Sequence, residues 1–214
     1  MKPPLPQRAP PKMWGGVKVT EAPTALPLTA EQIRARLVLP LTGDATQDAT
    51  DQVLLDAFQW QAVAMIDGPD GIGVAMSRQT WTRTADGFDD FRGAFLLPGA
   101  PLADVVSVHY MGGDGIWVEM AAADFRVVDG LDLARIVAIK EWPTVAIGTG
   151  VVRVVYTMGA APGAPINPAW IALLSLLAGH YWENREAVLV GISSAELPLG
   201  VESILRRHSR VGAG

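Results

Sequence analysis

The feature that most constrains the fold is a central block of about 85 residues in which short β-branched and aromatic runs alternate with glycine-containing turns. Asp-Gly pairs at 86–87 and 129–130 mark two of these turns. Such runs are typical of antiparallel strands joined by tight connections. The block therefore predicts a small β-sandwich or a strongly twisted sheet. Its predicted strands lie at 80–84, 95–97, 105–110, 116–120, 135–139 and 151–157.

Helical patterns precede this block. Thr29 and Gln32 have the spacing of a capping box, and Pro40 stops the helix that they start. A second helix is predicted from near Thr50 to Gly68, so the two helices are expected to form an antiparallel hairpin. One side of the second helix is marked by Leu54, Phe58 and Met65.

A third helix is predicted after the block. Asn167 is a good N-cap, and Pro168 suits the first helical position. The following stretch, 169–182, is apolar on so broad a face that it needs partners on more than one side. The sequence therefore predicts an α+β fold, in which the N-terminal helix hairpin and the C-terminal helices form a helical core with an inserted antiparallel β domain.

This organisation divides the chain into four parts. They are a proline-rich extended arm at 1–27, the helix hairpin at 28–72, the inserted antiparallel β domain at 73–160, and C-terminal helices with a docking segment at 161–214. Prolines remove backbone donors and favour extended geometry, so the arm is expected to lack regular elements. Trp14 is either incidental in a loose tail or the anchor by which the arm binds a neighbour.

The sequence offers little for catalysis. There is no cysteine, which excludes disulfides, thiolate metal sites and cysteine nucleophiles. His109, His180 and His208 are isolated from one another and from helical metal-binding patterns. No dinucleotide fingerprint or nucleophile elbow is present. We therefore predict a protein that is not an enzyme and that holds neither a cofactor nor a metal.

Charge and hydropathy restrict the partners. The net charge of −5 argues against a protein that grips nucleic acid through its overall field, although an acidic surface can line a passage for DNA. The apolar stretch 169–182 is shorter than the roughly 20 residues that span a bilayer. The N-terminus lacks the apolar segment of a signal peptide. We expect a protein that is made in a cytoplasm and does not contact a membrane.

Several short motifs follow one another between residues 28 and 210. They are Gln79-Thr80-Trp81 before Asp86-Gly87-Phe88, Leu97-Pro98 and Pro101-Leu102, Asp124-Phe125-Arg126-Val127, Trp182-Glu183-Asn184-Arg185-Glu186, and Leu197-Pro198-Leu199-Gly200-Val201. In this order they resemble the head–tail connector (adaptor or head-completion) family of long-tailed bacteriophages and phage-like gene transfer agents. The basic end at 206–210 and the proline-rich arm depart from the family pattern.

The resemblance implies a structural role at the virion neck, in a particle assembled in the host cytoplasm. It implies a ring of identical copies, dodecameric in the family, beneath the portal at the capsid vertex. Such a ring would join head to tail and extend the DNA channel, with DNA passing through the lumen without specific binding. Its partners would be the portal protein and the next neck or tail component, a stopper or tail terminator.

Two groups of residues are candidates for contacts with partners. The short amphipathic C-terminal segment is a candidate for docking on the portal, because alone it is too short to be stable in water. Its candidate residues are Val201, Ile204, Leu205, Arg206, Arg207 and Arg210. Candidates for the core or the ring interface are Trp170, Tyr181, Trp182 and Arg185.

An alternative function stays open at this point. The chain is also compatible with a tail- or baseplate-associated β-rich binding module. Exposed aromatic side chains around Phe88 and Trp117 would favour that alternative.

Overall fold

The computed structural model describes residues 16–88, 93–129, 133–185 and 201. The described residues form three α-helices, eight β-strands and one turn of 3-10 helix at Ala122–Asp124. The helices are α1 (Ala30–Leu37), α2 (Ala45–Ile66) and α3 (Pro168–Glu183). The strands are β1 (Val17–Glu21), β2 (Gln79–Ala85), β3 (Ala94–Leu97), β4 (Leu102–Met111), β5 (Trp117–Glu119), β6 (Phe125–Val128), β7 (Ala134–Ala138) and β8 (Val152–Met158).

The strands form two antiparallel sheets. Five of them lie in the order β1-β2-β8-β4-β5, and the other three lie in the order β3-β7-β6. In β2 and β8 buried side chains alternate with more exposed ones, as expected of strands with one face on a core. The register pairs Trp81 with Tyr156, which places both aromatic rings on the inner face of the larger sheet.

The inner faces of the two sheets share one hydrophobic core. Trp81 and Tyr156 from the larger sheet pack with Phe95 and Ile136 from the smaller sheet, and all four side chains are buried. The rings of Trp81 and Tyr156 meet edge to face with centroids 6.2 Å apart, a favourable aromatic geometry. The predicted β-sandwich is therefore present.

The helices begin where local sequence directs them. The capping box at Thr29 is formed in both directions, with bonds of 3.0 and 3.2 Å between Thr29 and Gln32. Asn167 caps α3 through a 2.9 Å bond from the Ala169 N–H. α2 begins five residues before the predicted Thr50, because Asp44 accepts hydrogen bonds from two backbone N–H groups and caps the helix there.

The helices pack together beside the sandwich in a second hydrophobic cluster. α3 lies against α2, and Phe58, Leu174 and Leu177 are buried where the two helices meet. The segment after α2 joins the two cores, because Met76 belongs to the helical cluster and its neighbour Ala75 belongs to the sandwich. The helical cluster and the sandwich are thus continuous.

The predicted helical core with an inserted β domain is wrong. The fold is mainly β, with two antiparallel sheets and three helices packed beside them. The error has a physical source in β1, which lies within the predicted extended arm but pairs with β2 as an edge strand. Because β1 precedes the helices, β-structure lies on both sides of the helix hairpin in sequence and is no insertion. The four predicted ranges stay predictions.

Candidate interaction surfaces

The C-terminal end of α3 combines buried and exposed groups. Tyr181 is buried; its ring lies 6.3 Å from that of Phe58 and its hydroxyl donates to Sδ of Met65 at 3.7 Å. Burial raises the pKa of the Tyr181 hydroxyl above its ordinary value. Trp182 is half-buried, and the exposed Arg185 places its guanidinium 5.4 Å from the centre of the Trp182 ring. Arg185 is therefore an exposed cation at this surface.

Two other predicted contact residues lie inside the fold. Trp170 is buried on α3, and its indole N–H has no hydrogen-bond partner among the described residues. Val201 is fully buried in the helical cluster. Val201 therefore acts as a core residue here. The predicted sites at Trp14, Ile204, Leu205, Arg206, Arg207 and Arg210 lie outside the described residues.

α2 has apolar residues on opposite faces. Its inner face is buried by residues such as Leu55, Ala62 and Ile66. Its opposite face exposes a line of uncharged residues that recur every three or four positions, so they lie on one side of the helix. We call this line the α2 outer stripe; it consists of Ala49, Val53, Ala57, Trp60 and Ala64.

An apolar groove lies between α1 and the start of α2. Val38 ends α1 with φ of 55°, in the left-handed region that a β-branched residue rarely adopts, and its side chain is 83% exposed. Leu39, Leu41 and Ala49 line the groove that follows. Arg34 closes its side by donating to the Asp48 carbonyl at 2.8 Å and to the Gln52 side chain at 3.1 Å. The hairpin thus presents an apolar surface on a rigid turn.

The β4–β5 hairpin carries an exposed aromatic side chain, but its surroundings are mixed. Trp117 is 38% exposed and stacks under the guanidinium of Arg153 at 4.8 Å. Phe88, the other aromatic group that would favour a ligand-binding module, is buried and stacks on Trp142 with centroids 4.4 Å apart. Only one of the two aromatic groups is therefore at the surface.

A polar network links the helices to the sandwich. Asp67, the C-cap residue of α2, accepts hydrogen bonds from the Met76 N–H at 3.1 Å and from the Gln79 side-chain amide at 3.0 Å. Gln79 in turn accepts a bond of 2.9 Å from the Trp81 indole. Burial raises the pKa of Asp67 to about 7, and the two donated bonds offset only part of that cost. The network holds an ionisable group at the joint between the two cores.

The described residues offer no recognisable reaction centre. No group of three or more potential metal ligands lies together in the part of the chain that the structure describes. Among the same residues, no helix is long and apolar enough to cross a membrane. His109 lies 3.9 Å from Glu119 across the β4–β5 pair, and among the described residues no third His, Asp or Glu joins them in a group that could hold a metal.

Comparison with solved structures finds similar chains in gene transfer agent particles. A chain in the neck of an empty gene transfer agent particle, computed with C6 symmetry, aligns with a TM-score of 0.63 at 22% identity over 89% of this chain and 93% of that one. The chain has the fold of a gene transfer agent neck protein. The resemblance inferred from the motifs is confirmed at the level of fold.

Two further gene transfer agent structures agree with this neck fold. A chain in the virion of a native particle aligns with a TM-score of 0.60 at 21% identity over 90% of this chain and 94% of that one. A chain in the native neck computed with C12 symmetry gives a TM-score of 0.57 at 22% identity, over 89% and 93% of the two chains. No family model matches this sequence, and comparison with curated protein sequences gives no significant match.

Sequence reasoning missed three features of these surfaces. It grouped Met65 with Leu54 and Phe58 on one side of α2, although Met65 is 39% exposed and Phe58 is buried. A signal for the outer stripe was present, because α2 is apolar around much of its circumference and such a helix needs cover on more than one side. The pairing of Asp67 with Gln79 had no sequence signal, since the turn between them decides it.

Proposed function

We propose that this protein is a structural adaptor of a virion neck, which forms a ring beneath the portal, joins head to tail and extends the DNA channel. The observation that carries the proposal is the fold, which this chain shares over 89% of its length with a chain of a gene transfer agent neck. Two of the similar neck structures were computed with C6 and C12 symmetry, which fits an assembly of identical copies around a channel.

The chemistry of the chain supports a structural role. The net charge of −5 suits a channel wall to which DNA does not stick. Arg185, exposed beside Trp182, supplies a planar cation for a contact across the ring interface. The ring is expected to meet the portal on one side and a stopper or tail terminator on the other.

The direct test is reconstitution with the portal ring encoded by the same genome. The two purified proteins are mixed at concentrations well above micromolar, and the sedimenting complex is imaged by electron microscopy. A second ring stacked coaxially on the portal is the expected result. A portal that stays bare under these conditions would contradict the proposal and favour a tail- or baseplate-associated module.

The C-terminal segment is tested separately. Because Val201 is buried in the helical cluster, a truncation that removes it would damage the core. Deletion of residues 202–214 keeps Val201 and removes Ile204, Leu205 and the three arginines that follow. We expect this variant to fold with an unchanged melting temperature and to lose portal binding. Stable portal complexes formed by the truncated protein would exclude docking through this segment.

A further inference from the structure

The outer stripe of α2 lacks cover in the described structure. Val53 is 69% exposed and Trp60 is 37% exposed, while the opposite face of the same helix is fully buried. A helix with apolar residues around most of its circumference is normally covered on both faces. The stripe contains no charged residue, and its five side chains run along most of the 22-residue helix. A surface of this length fits an elongated partner.

Charge indicates the nature of that partner. Between residues 37 and 77 the sequence contains six aspartates and no lysine or arginine. Asp56 borders the stripe one turn before Trp60 and provides a negative charge beside it. Two basic groups lie near α2: Arg34 is largely buried against the start of the helix, and the exposed Arg78 lines the same pocket as Asp56. A segment with basic and apolar residues and no acidic residues would complement this surface.

We propose that residues 1–15 of this chain cover the α2 outer stripe. This segment contains three basic residues and no acidic residue, together with five prolines, Leu5, Met13 and Trp14. Proline-rich segments bind exposed aromatic side chains with little loss of conformational entropy, which matches Trp60 at the centre of the stripe. One of the basic side chains would lie beside Asp56.

The position of β1 makes this contact reachable. A Cβ placed on Gly68, just after α2, would lie 3.7 Å from Cγ2 of Val19, so β1 passes beside the end of α2. Residues 1–15 join the described chain at Gly16, whose carbonyl accepts a 3.0 Å hydrogen bond from the Thr84 N–H. The distance along β2 from Thr84 back to Gln79 is about 17 Å. Fifteen residues in polyproline geometry span about 46 Å, enough to return and to follow most of α2.

The C-terminal segment fits this stripe less well. Val201 is buried in the helical cluster, so that segment begins on the inner side of the helices. The stripe lies on the opposite face of α2. The proposal does not depend on ring assembly, because the arm can bind the stripe of its own chain or of an adjacent copy.

The absence of native cysteine allows a direct crosslinking test. Lys12→Cys is combined with Ala57→Cys on the stripe, or with Ala172→Cys on the exposed face of α3 as the matched control. We expect disulfide formation with position 57 to be at least about tenfold faster, because a docked segment has a high effective concentration. Equal rates for the two pairs would overturn the proposal. Gel mobility separates crosslinks within one chain from crosslinks between copies, and either supports it.

Other occupants give distinct results. Faster crosslinking of Ala57→Cys with Ile204→Cys than with Lys12→Cys would assign the stripe to the C-terminal segment and overturn the proposal. So would rapid dimerisation of the single Ala57→Cys variant, which would assign the stripe to a second copy of α2.

A charge-reversal variant provides a second measurement. Lys2, Arg8 and Lys12 are replaced together by Glu, which leaves the described core untouched. We expect maleimide labelling of the Ala57→Cys variant to become about threefold faster at low ionic strength, because the electrostatic contact is lost. Labelling of the Ala172→Cys variant should not change. Unchanged labelling at position 57 with an unchanged melting temperature would contradict the proposed contact.

Discussion

The side-chain amide of Gln79 donates a 3.0 Å hydrogen bond to Oδ2 of Asp67, and so joins the first residue of β2 to the cap of α2. The same glutamine accepts from the Trp81 indole, which lies in the sandwich core. The network therefore fixes how the helical cluster meets the sandwich. The carboxyl group of Asp67 is buried in this network, and no charged neighbour contributes to the shift of its pKa.

Asp67 should make stability depend on pH. Its pKa is about 7 in the folded protein and 3.8 in the reference state, so the folded protein binds the proton more tightly. The stabilisation is fully present below pH 3.8 and is lost as pH rises through about 7. The total is about 4 kcal/mol at most, at roughly 1.4 kcal/mol per pKa unit. Asp67→Asn should flatten the dependence of unfolding free energy on pH between 4 and 8.

The control for Asp67 is Asp70→Asn, which changes an exposed carboxyl group in the same turn. Denaturant unfolding at a series of pH values measures both variants. A slope in Asp67→Asn equal to that of the unmodified protein would show that the carboxyl group is not buried as described.

Gln59 should be replaceable with a gain in stability. Its side chain is fully buried on α2, and neither its amide nitrogen nor its oxygen has a hydrogen-bond partner among the described residues. Gln59→Met keeps the length and removes two desolvated polar atoms, so we expect unfolding to require about 1–3 kcal/mol more. Gln61→Met, at an exposed position, should change little. A loss of stability in Gln59→Met, measured by urea unfolding, would mean that the glutamine has a partner.

Neighbouring leucines on α3 should respond differently to truncation. Leu177 is fully buried between the helices, whereas Leu176 is 44% exposed. Leu177→Ala removes core contacts and leaves a cavity, with an expected loss of about 2–5 kcal/mol. Leu176→Ala should cost less than about 1 kcal/mol in the monomer. Calorimetry of the two variants checks the orientation of α3, and equal losses would contradict it.

Gly159 should tolerate no side chain. It has φ of 85°, and an added Cβ would collide with the carbonyl oxygen of Ser77. Gly150 has φ of 66° and open space around it, so it separates backbone strain from the collision. We expect Gly150→Ala to cost about 1–2 kcal/mol and Gly159→Ala to cost clearly more. Melting temperatures measure the difference, and similar values would show that the segment carrying Ser77 can move away.

Arg185 should matter for assembly more than for folding. It is exposed, and its described contact is the stacking on Trp182. Arg185→Ala should change the free energy of unfolding by less than about 1 kcal/mol. On the proposed function, it should also reduce ring formation on the portal severalfold. Arg126→Ala, an exposed arginine on β6, is the matched control. Normal rings from Arg185→Ala in electron micrographs would remove Arg185 from the interface.

Local features of the fold could be predicted well. The Thr29–Gln32 capping box and the Asn167-Pro168 helix start depend on contacts within four residues, and both are present. The start of α2 was placed too late because Asp44 was read as part of a polar loop, although its side chain caps the helix. β1 was missed because prolines surround a strand of only five residues.

The sequence by itself determined the helix caps, the strand-forming runs, the absence of cysteine chemistry and the motif order that resembles neck connectors. Only the tertiary structure decided that β1 pairs with β2 some 60 residues away, that Val201 is a core residue and that α2 leaves an apolar face open. The reason is physical. Caps and turns are satisfied by neighbours in sequence, whereas burial depends on which distant segments meet, and hydrophobic periodicity does not specify that partner.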